Sequence, residues 1–199
     1  MALKLLSLAG LAVLAEGALK LRRTANGDFD VKCDVTLGGR SSQEASFTVR
    51  VHPDWAPKGA AQFKQLVEEG LYDDAGVFRI VPGFVAQFGL PAKPREVSQI
   101  TDDPVKQSNK RGMLTFATSG PNTRTSQLFI NFGNNARLDN MGFAPFGEVL
   151  EPGMQVVDKF YAGYGERPEQ NLIKSKGNIY LNRRFPNMTK LHRCALLPQ

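Results

Sequence analysis

The chain has 199 residues, enough for one domain that buries its own core without needing disulfides or metals to fold. Hydrophobic residues make up 42% and charged residues 22%, which excludes a disordered, collagenous or coiled-coil chain. The net charge of +6 is modest and scattered, and two His with two Cys are too few for zinc fingers, zinc ribbons or His-rich metal sites.

The opening stretch, MALKLLSLAGLAVLAEGA, differs from the rest. Lys4 precedes a mostly apolar run from Leu5 to Ala15, and Ala15 and Gly17 place small residues before Ala18. This is the plan of a secretory signal peptide over residues 1–17, with a retained anchor as the alternative. The run is short for a transmembrane helix, which needs ~20 residues. Residues 18–28 then form an N-terminal extension to a domain over 29–199. A secretory route gives weight to Cys33 and Cys194, which lie in the first and last strand-like segments. A bridge between them and two buried free thiols both fit the sequence. In the same compartment, Asn187-Met188-Thr189 is an N-glycosylation sequon with Asn187 as acceptor.

The body reads as short strands with two or three helices. Phe29, Val31, Cys33, Val35 and Leu37 alternate with polar residues, Gly38-Gly39 turns the chain, and Phe47, Val49 and Val51 repeat the alternation, so a hairpin is expected. Pro57 opens a helix whose apolar stripe is Phe63, Leu66, Val67 and Leu71, ended by Gly70. Strands are expected at 77–81 and 84–88 around Pro82-Gly83. Residues 90–111 read as a polar surface excursion. Further strands are expected at 112–117, 128–131 and 143–150, and a short helix at 153–162. Residues 163–186 read as an irregular or helical C-terminal extension, and 188–197 as a closing strand. Many short strands with two covering helices indicate a mainly β fold, a closed antiparallel barrel.

The sequence contains no G-x-S-x-G elbow, Walker loop or G-x-G-x-x-G motif. Basic residues such as Arg22, Arg23, Arg183 and Arg184 come in pairs without interleaved aromatics, which argues against nucleic acid as a partner. Two segments are more informative. In V-F-R-I-V-P-G-F-V-A-Q, Arg79 shares a strand face with Val77 and Val81, and a guanidinium among apolar neighbours needs a partner or a function. The pattern alone favours an exposed arginine on the barrel surface. The second segment, G-M-L-T-F-A-T-S-G-P-N-T-R-T-S-Q-L-F-I, joins two strands through a loop rich in hydroxyls and amides, and by itself reads as a self-satisfied loop.

Together these segments resemble the signatures of the cyclophilin family of peptidyl-prolyl cis-trans isomerases. The first looks like F-x-R-x-I/V-P-G-F-x-x-Q, with Val77 where the first Phe usually stands. Phe146-Gly147-Glu148-Val149 and the stretch from Gly153 to Asp158 extend the likeness. Gly177 to Leu181 resembles the tail of the bacterial-type branch. The resemblance implies an eight-stranded antiparallel barrel capped by two helices, with a shallow groove on its outer face. It implies Arg79 as the catalytic residue, and Phe84, Phe129 and Leu138 as the lining of a proline pocket. Gln87 and Gln127 take the polar positions beside it, and Ala117 and Thr118 the strand edge that holds substrate backbone. Val85 stands where the family often has Met, and Phe143 where many eukaryotic members have His. Arg137 replaces a Trp that contributes to cyclosporin binding, so weak binding of that drug is implied. Of the glycine pair that often follows the signature Gln, only Gly89 remains.

The implied function is isomerisation of X-Pro bonds in client polypeptides, assisting folding along the secretory route, in the endoplasmic reticulum lumen, outside the cell or in an organelle lumen. A non-catalytic proline-peptide-binding module or a chaperone on the same fold is the alternative. The chemistry calls for no cofactor and no metal. The partners are proline-containing polypeptides, and a monomer without stable membrane attachment is expected once the signal is removed.

Overall fold

A computed structural model describes residues 27–40 and 42–198. The expected signal over 1–17 and nearly all of the 18–28 extension lie outside the described residues. Eight strands form one antiparallel sheet: β1 (Phe29–Leu37), β2 (Gln43–Val51), β3 (Arg79–Val81), β4 (Val85–Phe88), β5 (Met113–Phe116), β6 (Leu128–Asn131), β7 (Pro145–Val149) and β8 (Lys190–Leu196). Their spatial order is β3-β4-β6-β5-β7-β2-β1-β8. The sheet curls round a core that includes Val31, Val35, Val49, Val51, Leu114, Phe116, Leu128, Ile130 and Phe146.

The expected closed barrel is corrected to a half-barrel, with β3 and β8 as its free edges. One isolated bridge, Gly76 to Lys190, crosses between them. The reason is local. Strand β3 is only three residues long, and the chain just before it turns to β8, where Val77 N–H donates to Thr189 O (2.9 Å) and Leu191 N–H to Ala75 O (2.9 Å). The strand expected over 77–81 is shortened accordingly.

The predicted hairpin forms over all nine residues of each arm, from Phe29↔Val51 to Leu37↔Gln43. Strand β8 pairs with the other side of β1. The register sets Cys33 opposite Cys194, and their sulfurs are bonded. Asn187 is exposed just before β8, while the Thr189 hydroxyl of the sequon is buried and accepts N–H from Gly38 (3.0 Å) and Tyr161 (2.9 Å).

Among the described residues there are four α-helices, where two covering helices were expected. The first, α1 (Pro57–Glu68), buries Phe63, Leu66 and Val67 against the sheet. Its N-cap, Ala56, has no side chain that could accept from the first turn. Asp103 does this from the 90–111 segment, accepting from Lys58 N–H (3.1 Å) and Gly59 N–H (2.9 Å), and it is paired in turn with buried Arg124 (3.1 Å). Helix α2 (Met154–Val157) is a single turn. The extension supplies α3 (Gln170–Lys176) and α4 (Asn178–Arg184). Ile173, Leu181, Phe185 and Met188 pack with Phe78 and Leu90 in a second cluster, so the extension is docked on the residue next to Arg79. Gly177, at the joint between the two helices, has φ +55, and a Cβ there would meet Ala92 O at 2.1 Å.

The segment expected to be a surface excursion also sends Asn109 into the interior, where it is fully buried. Its Nδ2–H group donates to Asp139 Oδ1 (2.8 Å) and Phe143 O (2.8 Å), and its Oδ1 accepts from Thr115 (2.9 Å). Asn135 Nδ2 donates to Phe84 O (2.9 Å) and Asn131 Oδ1 (2.8 Å). Ser108 Oγ donates to Asp139 Oδ2 (2.6 Å). This network fixes the 3-10 turn Ala136–Met141 and the residues after it over β5 and β6. Burial opposes ionisation of Asp139, but hydrogen bonds from Ser108 and Asn109 outweigh it and hold the carboxyl below its usual range.

Reduction of the Cys33–Cys194 bond, or Cys33→Ser with Cys194→Ser, should lower stability by about 2–4 kcal/mol and Tm by about 5–15 °C. Thermal unfolding with and without reductant checks this. Asp139→Asn should cost about 1–2 kcal/mol. A lowered folded pKa gives stability that is complete above the unfolded value of about 3.9 and is lost as pH falls through the folded one. Denaturant titrations should therefore show the gap between the variant and the native chain narrowing as pH falls below about 4, and a gap that widens on acidification would reject this role for Asp139.

Candidate active site

The register of four adjacent strands builds the site. Arg79 lies opposite Gln87, Gln87 opposite Phe129, and Phe129 opposite Thr115. Side chains alternate between faces along a strand, so this row shares the outer face of the sheet. Val85, two residues from Gln87, lies on the same face. There Val85, Phe129 and Leu138 form a small buried apolar cluster of their own, with Phe84, Ala117 and Phe143 packed against it. Every residue of β4 and β6 is consequently buried: one face meets the core and the other lies beneath residues 136–143.

A cavity of about 160 Å³ opens on this cluster, lined by Arg79, Phe84, Val85, Gln87, Ala117, Thr118, Phe129, Leu138 and Phe143. Nine of the ten residues expected from the sequence thus meet in one place. Such a volume is smaller than most small-molecule sites, which run to ~300–1,000 Å³, and suits a single ring. Phe129 and Phe143 meet edge to face at 5.8 Å, which places Phe143 in the wall as expected. The tenth residue, Gln127, stands one hydrogen bond back: Gln87 Nε2 donates to its Oε1 (3.0 Å). A larger cleft of about 700 Å³ lies on the extension, lined by Arg167, Glu169, Lys176, Arg183 and Arg184 among others, and none of the ten expected site residues lines it.

Arg79 sits at the edge of the cavity with 28% of its side chain exposed. Its Nη1 donates to Gln87 Oε1 (3.2 Å) and its Nε to Glu166 Oε1 (2.7 Å). The guanidinium carbon is 5.7 Å from the centre of the Phe84 ring. Arg137 lies nearer to the same ring, at 4.6 Å. Phe84 thus has two guanidinium groups near its ring, and its carbonyl is tied to Asn135. The strand edge at Ala117 still pairs through its N–H with Gln127 O (2.9 Å). Beyond it the Thr118 hydroxyl is engaged within its own loop, with Thr123 (2.9 Å) and Gly120 N–H (3.1 Å). Gly89 is required by close approach, since a Cβ there would lie 2.3 Å from Ser126 O.

Sequence reasoning missed Glu166, Asn109, Asn131 and Asn135. Each acts across a long span, 87 residues in the case of Arg79 and Glu166, and no local pattern marks such a pair. Elsewhere, Asp28, His52 and Asp54 bring ligand atoms within 4.8 Å of one another. His52 is already satisfied there, by Asp28 at Nδ1 (2.9 Å) and by stacking on Trp55 (3.9 Å), which reads as structural.

Comparison with known proteins gives the family. The family model described as "Cyclophilin type peptidyl-prolyl cis-trans isomerase/CLD" matches residues 35–177. Peptidyl-prolyl cis-trans isomerase CYP18-1 of Arabidopsis thaliana is 33% identical over 140 residues, covering 65% of this chain and 86% of the relative. Peptidyl-prolyl cis-trans isomerase-like 1 of Emericella nidulans is 33% identical over 138 residues, covering 65% and 80%. A bacterial relative, peptidyl-prolyl cis-trans isomerase A of Dickeya dadantii, is 36% identical over 115 residues, covering 52% and 60%. With the family model spanning well over half of its length and the motif residues gathered round one apolar cavity, the chain belongs to the cyclophilin-type peptidyl-prolyl cis-trans isomerases.

Proposed function

We propose that the chain isomerises X-Pro bonds of client polypeptides in the secretory route, with Arg79 as the catalytic residue. The observation that carries the reading is the placement of a half-buried guanidinium at the edge of a ring-sized apolar cavity.

Rotation of a peptide bond is opposed by ~18–20 kcal/mol of amide resonance. X-Pro bonds populate both isomers yet exchange over tens to hundreds of seconds. At the twisted transition state resonance is lost and the proline nitrogen gains a lone pair. A donor aimed at that nitrogen stabilises the twisted form more than either planar form, and only such differential binding accelerates the step. The guanidinium of Arg79 presents its donors in a rigid planar fork. Gln87 and Glu166 already fix it, so little reorganisation accompanies the rotation. Val85, Phe129, Leu138 and Phe143 hold the ring, while Ala117 and Thr118 hold the backbone on one side of the rotating bond. No covalent step is needed, and no proton moves.

The compartment rests on two features: the signal-like pattern of residues 1–17, and the Cys33–Cys194 bond, which persists in oxidising surroundings. In that setting Asn187 is the glycan acceptor.

Arg79→Ala should keep the fold, because Arg79 lies on a short edge strand, and should lower kcat/KM on an Ala-Pro peptide about 100-fold. Exchange NMR on the bound peptide reads both affinity and rate. Binding without acceleration by the native chain would identify a peptide-binding module instead, and full turnover by Arg79→Ala would remove Arg79 from the chemistry. Intact mass of the native protein should show an N-terminus near Ala18 and no free thiol. A chain that retains Met1 and carries two reactive thiols would overturn the secretory assignment.

A further inference from the structure

Glu166 belongs to none of the motifs that mark the site, yet it makes the closest contact to the guanidinium of Arg79. It comes from the extension, just past the 3-10 turn Ala162–Tyr164. The loop is fastened on both sides of it. Gly165 O accepts Ile80 N–H from β3 (3.1 Å), and Arg167 donates back to Gly163 O (2.7 Å) and Tyr164 O (3.3 Å). The extension thus lies along the free edge of the strand that carries Arg79, and delivers one carboxylate to it.

An arginine side chain offers five N–H donors in one plane. In Arg79, Glu166 takes the Nε donor and Gln87 takes one on Nη1. Two acceptors at different corners fix both the position and the tilt of a planar group. The three N–H donors left over all belong to the two Nη nitrogens, the end of the group that a proline nitrogen would meet. With Gln87 alone, the plane could turn about a single bond.

We propose that Glu166 is a positioning residue for isomerisation: by holding Nε it sets the plane of the Arg79 guanidinium so that its Nη donors face the proline pocket. The proposal rests on the reading of Arg79 as the catalytic donor. Glu166 is 61% exposed, and an ion pair this open adds little to stability, so its removal separates orientation from folding.

The test compares Glu166→Ala and Glu166→Gln with the native chain, alone and in an Arg79→Ala background, by exchange NMR on an Ala-Pro peptide. Glu166→Ala should lower kcat roughly 3–10-fold with KM nearly unchanged, as expected when a reacting group is misplaced rather than lost. Glu166→Gln keeps an oxygen that can accept Nε–H and should recover to within about twofold of native. In the Arg79→Ala background, Glu166→Ala should change nothing further, because the two residues act as one unit. The Arg79 Nε–H resonance should exchange slowly with water in the native chain and in Glu166→Gln, and be lost to fast exchange in Glu166→Ala. Native or raised kcat in Glu166→Ala, or the same drop with Arg79 absent, overturns the proposal. If the native chain does not accelerate exchange at all, the isomerase reading fails instead, and the Nε–H signal still reports whether Glu166 holds the guanidinium.

Discussion

Ile80, Ala86, Ile130 and Leu114 lie opposite one another across β3, β4, β6 and β5, and all four are buried in the core. Strand alternation then forces their neighbours Arg79, Gln87, Phe129 and Thr115 to the outer face. A shift of one residue in the β3–β4 pairing would bring Arg79 into the core and turn Ile80 outward. The chemistry of the outer face is therefore held in place by hydrophobic burial on the inner one. This explains how three- and four-residue strands can carry a site that needs sub-ångström placement.

What burial cannot do is set the orientation of polar groups above the sheet, and two polar assemblies do that. Behind the pocket wall, buried Asn109, Asn131 and Asn135 satisfy one another and fasten Phe84 and Phe143 through their carbonyls. At the edge, Gln87 and Glu166 hold the arginine between them. Each buried amide here has several partners, which is the condition under which a polar network in an interior stabilises rather than costs. The pocket is thus apolar where it meets a ring and polar where its own walls are anchored.

The hairpin was legible because its alternation runs unbroken through Val31, Cys33 and Val35 and back through Phe47 and Val49. Strand β6 was read to the residue, since its loop signals are sharp on both sides. The motif residues of the pocket were legible by likeness, and their convergence follows from strand register. Other features were hidden for physical reasons. The strand read over 143–150 starts at Pro145, because Phe143 turns out into the cavity wall. The open sheet edges arise from how residues 75–77 divide their hydrogen bonds, which periodicity does not report. Helices α3 and α4 have seven residues each and are separated by a single glycine, too short for a helical stripe to repeat. Glu166 and Asn109 are distant in sequence from what they support, so only the folded chain brings out their roles.

The pairing of β1 with β8 has a consequence for how this isomerase comes into being. Cys33 and Cys194 are 161 residues apart, and the extension that backs Phe78 and reaches Arg79 lies just ahead of β8. Contacts of such long range form slowly, because loop closure must precede their reward. During synthesis, the strands that line the groove emerge well before the segment that secures their edge and orients the arginine. Until residues 163–196 are made, Phe78 lacks its cover and Arg79 lacks the Glu166 contact. The isomerase is thus itself subject to the order in which its chain is made.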